Sequence, residues 1–517
     1  MRIFESILVL LVIAVGLAAL ARRWNAPYPA LLAGLGIVLA LLPGMPRIPL
    51  DPQLALALFV APVLLVVAHD TSTRDLRDNW MPITSMVVIA VGITTIAVAC
   101  AVEWLVPTLP WAAALALGAI VAPPDAAAAT AILKHARLPH RLAQILEGES
   151  LLNDATSLLI YRVAVSIAMG ETVSVATTVP RLVLVVVASL VVGWVLAKGV
   201  GKIMRRVDDV PTAIVLQFAT TFGVWIVAER IGLSAILTIV AYAIKIARHA
   251  PHTIPARIRV PSYAVWETMV FVLNVLAFVL IGLQLGPIIG GLSGGERVAY
   301  AGVAIAVLVV IIVTRFVWVM TQFVAIRWKA GRFGRSDRDA LARPTTRGGL
   351  LISWCGIRGI VTLAAALALP DGDHPFPGRP LILVTAFTVV VGTLILQGLT
   401  LRPLLHWLDL HDDAPVEREV AHARRLALQA AKKSLTGDHS EAANVLRFEL
   451  DELLSSDADP DNARSRRLSL PALRTKAVAA ARAELKRLRF DQSIGDDAYH
   501  RVEQVLDRTE LYAEAGQ

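Results

Sequence analysis

Cysteine is nearly missing from this 517-residue chain: Cys100 and Cys355 are the only two, and both stand in apolar stretches. A disulfide framework is thereby excluded. Charge is scarce too. Asp, Glu, Lys and Arg supply 17% of the residues, against about a quarter in soluble domains, so an ordinary soluble protein is set aside. There is no His-Glu-x-x-His motif and no Gly-rich phosphate loop, which removes the zinc-hydrolase and nucleotide-binding classes. No enzyme activity and no resident cofactor are expected. The net charge of +8 could suggest nucleic acid. Through residue 408, however, the basic residues fall mostly between apolar segments, a pattern of membrane topology, and no nucleic-acid-binding motif is present.

What the chain has instead is apolar runs. Segments of bilayer-crossing length, about 17–25 residues, fall at 3–21, 28–43, 54–69, 81–106, 109–134, 142–169, 178–203, 210–229, 231–248, 264–288, 298–326, 348–370 and 380–408. The odd-numbered loops between them carry 22 Lys and Arg, from Arg22-Arg23 to the cluster ending at Arg347; the even-numbered loops carry 5. That alternation is what the positive-inside rule demands, and it places the amino terminus outside and the tail in the cytoplasm. The segment 3–21 has small residues like a signal-peptide cleavage site, but Arg22-Arg23 directly after it read better as an inside anchor of a retained helix. The expected organisation is a transmembrane domain over 1–408 and a cytosolic helical tail over 409–517. The tail reads as a solvated coiled coil or bundle, with a regulatory or dimer-stabilising role as the alternative.

Within the sixth span lies Glu147-Gly148-Glu149-Ser150-Leu151-Leu152-Asn153-Asp154-Ala155. A charged residue near the middle of a spanning helix costs roughly 2.5–3.5 kcal/mol on insertion scales, and ion or proton pathways are the usual reason to keep one. Glu149 and Asn153 share a helix face, with Asp154 about 100° further round. The group reads as a site for a cation and a proton. Two other spans are interrupted. Span five contains Pro123-Pro124, which no unbroken helix sustains, followed by Asp125, placed to cap the second half-helix. Span twelve contains Gly356-Ile357-Arg358-Gly359. The two breaks lie seven spans apart and so run in opposite directions, the relation expected of equivalent helices in inverted repeats. Arg358 cannot shed its proton and needs a partner, Glu149 or Asp125.

At these residues the chain resembles the monovalent cation:proton antiporters of the NhaP and NHE sodium/proton exchanger type. The matching stretches are Gly148–Ala155, Trp354–Gly359, Phe278–Leu285 and Leu396–Leu401. The resemblance implies an all-α polytopic membrane protein, with about thirteen helices in two inverted repeats, two broken helices crossing at the centre, and a homodimeric assembly in the cytoplasmic membrane. By similarity Asp154 holds either the alkali cation or the proton, Asn153 orients it, and Ser150 adds a hydroxyl ligand. Glu149 and Arg358 form a buried structural ion pair, and Asp125 caps the broken helix. Two positions depart from the family pattern. Pro124 stands where a threonine ligand is usual, and Val66 where the third helix usually carries a glutamate; His69 and Asp70 lie near in sequence.

The implied activity is exchange of Na⁺ for H⁺, with K⁺/H⁺ or broad monovalent-cation exchange as the alternative. With Asn153 in place of a second acid, one titrating charge remains at the pair, which favours one-for-one, electroneutral exchange. From another class, a transport-silent membrane sensor would signal through the tail.

Overall fold

The computed structural model describes residues 2–409 apart from 25, 43–50, 71–76, 78, 126–138, 172–173, 254–255, 333–345 and 372–373, and beyond 409 only scattered positions between 429 and 451. Every regular element among the described residues is helical. In chain order they are α1 (Arg2–Arg23), α2 (Tyr28–Leu41), α3 (Pro52–Ala55), α4 (Ala61–Asp70), α5 (Trp80–Thr84), α6 (Val91–Leu105), α7 (Trp111–Val121), α8 (His140–Ala168) and α9 (Val175–Met204). There follow α10 (Val210–Arg230), α11 (Ala235–Thr253), α12 (Ala256–Leu283), α13 (Leu285–Gly290), α14 (Gly294–Arg332), α15 (Thr346–Trp354), α16 (Ile360–Leu367) and α17 (Arg379–Leu408). Single π-helical turns, Leu56–Val60 and Ser85–Ala90, join α3 to α4 and α5 to α6. Each of the thirteen apolar segments thus holds a helix or a joined or broken pair; the second half of the fifth lies outside the described residues.

Seven of the described helices are long and apolar enough to cross a membrane, and four more apolar helices are shorter. The faces of α9 show why they must be solvated by something other than water. Val183, Leu184, Val187, Val191 and Val195 recur at helical spacing and are all exposed, an apolar stripe that water would penalise. The chain is a polytopic all-α membrane protein.

Helix starts follow local chemistry. Asp51 precedes Pro52 and accepts from the Leu54 N–H at 2.8 Å; Asp209 precedes Val210-Pro211 and accepts from Thr212 N–H at 2.9 Å. Both are acidic N-caps with proline in the first turn. Ser293 and Glu296 form a capping box before α14, the Glu296 carboxylate accepting from the Ser293 N–H at 2.9 Å and its hydroxyl at 2.7 Å. Gly291-Leu292-Ser293-Gly294-Gly295 has the Gly-x-Ser-x-Gly spacing of a hydrolase nucleophile turn. Here the serine opens a helix and is spent on Glu296.

Polar residues of α10 bond across to neighbouring helices. The Gln217 amide donates to Ser262 at 3.2 Å and accepts from the Trp266 indole at 2.9 Å, and the Tyr242 hydroxyl donates to Thr220 at 3.1 Å. These are helix-to-helix ties of the kind that polar groups make in lipid.

α2 and α12 meet through Gly36 and Gly282, whose backbones approach so closely that a methyl on either would overlap main-chain atoms of the other helix. The chain separates into two compact units, Met1–Asp412 and Asp413–Gln517. In the second, Lys432 and Asp451 form an exposed ion pair at 2.5 Å; the expectation of a helical tail falls almost wholly outside the described residues. Gly282→Ala is expected to destabilise the protein by about 1–3 kcal/mol through overpacking. Gly92→Ala, with open space around it, should be neutral or slightly stabilising. Thermal unfolding of the detergent-solubilised variants checks both.

Candidate cation and proton site

The two helix breaks meet. At the first, α7 stops at Val121 and the chain continues non-helically through Pro123 and Pro124 to Asp125. At the second, α15 stops at Trp354 and α16 resumes at Ile360. A main-chain hydrogen bond from Asp125 N–H to the Ile357 carbonyl, 2.7 Å, joins the two irregular stretches.

Each break frees carbonyls at the end of a helix, and buried carbonyls need donors. Arg358, 1% exposed, donates from Nε to Val121 O at 2.8 Å, from Nη2 to Ala122 O at 3.0 Å, and from Nη1 to Gly356 O. Its guanidinium therefore closes the carboxyl end of α7, where the helix dipole is negative. Its own N–H is held by the Thr393 hydroxyl at 3.0 Å. At the other break Arg315, from α14, donates through Nε and Nη2 to Ile352 O at 3.3 and 3.1 Å, within the last turn of α15. Gly356 lies between the two guanidiniums, and a Cβ there would overlap Arg315.

The ion pair expected between Glu149 and Arg358 is not what forms. Glu149, 2% exposed, pairs with Arg315 in a two-pronged contact, Nη1 to Oε1 at 2.5 Å and Nη2 to Oε2 at 2.9 Å. The reason is an economy of donors: Arg358 is occupied by three carbonyls at the breaks, whereas Arg315 presents both terminal nitrogens to the carboxylate. Sequence reasoning missed Arg315. The signal was available, since a lone arginine within the apolar run Val303–Val319 needs a buried partner.

Asp125 was expected to cap the second half of its own helix, which lies outside the described residues. Its carboxylate lies against Gly359, just before α16, so closely that only a residue without a Cβ fits there. This sets the acid at the positive end of the other broken helix.

The remaining polar groups come from α8. Asn153 is fully buried and donates from Nδ2 to the Pro124 carbonyl at 2.7 Å, while its Oδ1 accepts from the main-chain N–H of Asp154 at 2.7 Å. It thus ties α8 to the first break and touches the Asp154 backbone rather than its carboxylate. Ser157 repeats the tie one turn on, donating to Ala119 O at 2.6 Å.

Asp154 itself is 9% exposed, and its carboxylate has no hydrogen bond or ion pair among the described residues. It lines a cavity of about 40 Å³ together with Ser150 and Asp125, room for a small cation and one or two waters. Asn274 of α12 also lines it, a residue the sequence reading passed by. The rest of the wall is apolar, and the face that α4 presents is Val63, Leu64 and Val67. Val66, the position singled out as a missing acid, is not part of the lining. Arg162 is exposed on α8 and likewise does not line the cavity; the side chains of His69 and Asp70 fall outside the described residues. Among the described residues no cluster of three or more His, Cys, Asp and Glu could hold a metal ion. An oxygen-only set of carboxylates, hydroxyl and amide suits a hard alkali cation.

Broken helices meeting beside a buried carboxylate that has no partner among the described residues define a class of membrane carriers that bind an ion where two half-helices end. Comparison with known proteins agrees. Residues 7–407 match the family model described as sodium/hydrogen exchanger, transmembrane. The chain is 32% identical over 453 residues to the sodium, potassium, lithium and rubidium/H⁺ antiporter of Bacillus pumilus, an alignment covering 84% of this chain and 66% of that protein, just under two thirds of its length. It is 28% identical over 436 residues to the low-affinity Na⁺/H⁺ antiporter NhaS1 of Synechocystis, covering 82% and 79%. Among solved structures, the sodium proton antiporter MjNhaP1 of Methanocaldococcus jannaschii superposes with a TM-score of 0.59 at 19% identity, over 79% of this chain and 99% of that one. The chain belongs to the sodium/hydrogen exchanger family, a family of monovalent cation:proton antiporters.

Removing one partner of a buried ion pair strands the other, at about 3–5 kcal/mol, whereas replacing both with apolar groups costs far less. Arg315→Met is therefore expected to lose about that much stability, and Glu149→Leu combined with Arg315→Met to recover part of it. Unfolding of the three proteins in detergent checks the order.

Proposed function

We propose that this protein exchanges a monovalent cation, Na⁺ first, for H⁺ across the cytoplasmic membrane, one for one and without net charge movement, by alternating access. It works as a homodimer, with its amino terminus outside and its tail in the cytoplasm. The single observation that carries this reading is Asp154: a buried carboxylate, facing a cavity, that has no cationic partner among the described residues.

The chemistry follows from that isolation. A bare carboxylate crossing an apolar barrier is costly, so Asp154 moves only when something neutralises it. A proton does so, and so does an alkali cation on the same oxygens. The two compete, and that competition is the coupling; no separate proton wire is required. Ser150 adds a neutral oxygen to the cation, and Asn153 fixes the backbone on which Asp154 sits. Asp125, at the amino end of α16, has its charge offset by the helix dipole, and Glu149 is neutralised by Arg315. One carboxyl is thus left to exchange its load, which supports the electroneutral stoichiometry.

A second reading, K⁺/H⁺ or broad monovalent-cation exchange, is favoured by the cavity wall. Among the described residues α4 contributes Val63, Leu64 and Val67 there and no carboxylate, so the ligand field is weak and discriminates less by charge density. The Bacillus pumilus relative is named for several alkali cations.

The test is flux into proteoliposomes carrying an internal pH dye, with Na⁺, K⁺ and Li⁺ supplied in turn. The expected result is cation-driven proton movement that persists when the membrane potential is collapsed. It is lost to background in Asp154→Asn, while the stability of that variant is unchanged or raised because no buried partner is stranded. Cation current without pH change would replace the antiporter by a channel, and absence of flux under every gradient would favour the sensor.

A further inference from the structure

α12 brings three residues to the cavity, Asn274, Ala277 and Phe278, spaced i, i+3, i+4 and therefore on one face of the helix. Two of them are apolar and buried, as expected of a wall. The third is a half-buried carboxamide with no hydrogen-bond partner among the described residues. That is unusual company for this helix. The two polar-bearing side chains it buries outright are tied: Ser262 to the Ile258 carbonyl at 2.8 Å and to Gln217, and Trp266 to Gln217. In a membrane-spanning helix an amide with nothing to bond is expensive, and the expense is justified where a polar occupant comes and goes.

We infer that Asn274 gives the bound cation a carboxamide oxygen from α12 and so sets which alkali cation the site prefers. This rests on the exchanger reading above. The chemistry of the amide fits the position on two counts. Its carbonyl is a hard, neutral ligand of the kind alkali ions accept in place of water. Being neutral, it leaves the balance between Asp154 and the cation at zero, whereas a carboxylate there would leave the loaded cavity negative. The amide also resists the burial that would penalise a charge. With the described α4 face, Val63, Leu64 and Val67, supplying no oxygen, Asn274 is the ligand through which this chain adds coordination from outside α8 and the two breaks.

The experiment uses the full-length protein in the same proteoliposome assay, comparing wild type, Asn274→Ala and Asn274→Gln. Expected for Asn274→Ala is a half-saturating cation concentration raised about fivefold or more, equivalent to about 1 kcal/mol, with a maximal rate within about twofold of wild type and a changed Na⁺ to K⁺ ratio. Asn274→Gln, which keeps the amide, restores the ratio at least in part. Should the alanine variant fail to survive extraction, Asn274→Ser is read in the same way. Unchanged half-saturation and an unchanged ion ratio overturn the inference. An equal fall in maximal rate for both variants with no shift in half-saturation also overturns it, because that is the mark of helix packing. A wild-type protein that moves no protons under any alkali gradient defeats the exchanger reading itself; an active wild type with an indifferent Asn274 defeats only this assignment.

Discussion

A helix interrupted inside a membrane exposes carbonyls that neither water nor the next turn can satisfy, and two such interruptions side by side double the debt. Here two guanidiniums meet it. Arg358 closes the end of α7 through Val121 and Ala122, and Arg315 closes the end of α15 through Ile352. Each brings a full positive charge to the negative end of a helix dipole. The symmetry is one of function rather than of sequence position, since Arg358 comes from within a break and Arg315 from a continuous helix beside it. Gly356 and Gly359 are the geometric conditions of the arrangement, one admitting the arginines and the other the Asp125 carboxylate.

Once those bonds are made, the charges of the core are almost fully assigned. Glu149 takes both terminal nitrogens of Arg315, sharing Nη2 with the Ile352 carbonyl, and Arg358 is occupied by carbonyls. Asp125 sits at a positive helix end. Asp154 receives nothing from any of them, and the other carboxylate lining its cavity is Asp125. The scaffold that makes irregular backbone tolerable thus also isolates a single acid. A membrane protein gains no stability from such a residue, which is why its isolation argues for traffic through the site.

Much of this was legible in the sequence. Apolar length picked out stretches that each hold helix among the described residues, because lipid imposes one-dimensional rules that need no knowledge of packing. The breaks were legible because Pro123-Pro124 and Gly356-Gly359 are incompatible with continuous helix. Asp154 stood out by its cost. What spacing could not supply was the pairing: Glu149 has two buried arginines within the same core, 166 and 209 positions away, and only the count of carbonyls at each break decides which guanidinium is free. Asn274 escaped for a related reason. A lone asparagine in a long apolar helix reads as an interhelical tie until the structure shows that it has no partner among the described residues, and that it faces the same cavity as Asp154.

Val66 stands where the family pattern has an acid, yet the wall that α4 turns to the cavity is Val63, Leu64 and Val67. The π-helical turn Leu56–Val60 lies directly before this stretch. Such a turn takes an extra residue into one helical circuit and so rotates everything after it relative to a regular helix. Whether position 66 or its neighbours meet the ion is then decided by that turn and not by the side chain at 66. Besides Asp154, Asp125 and Ser150, the polar side chain that lines the cavity is Asn274 of α12, which has no hydrogen-bond partner among the described residues.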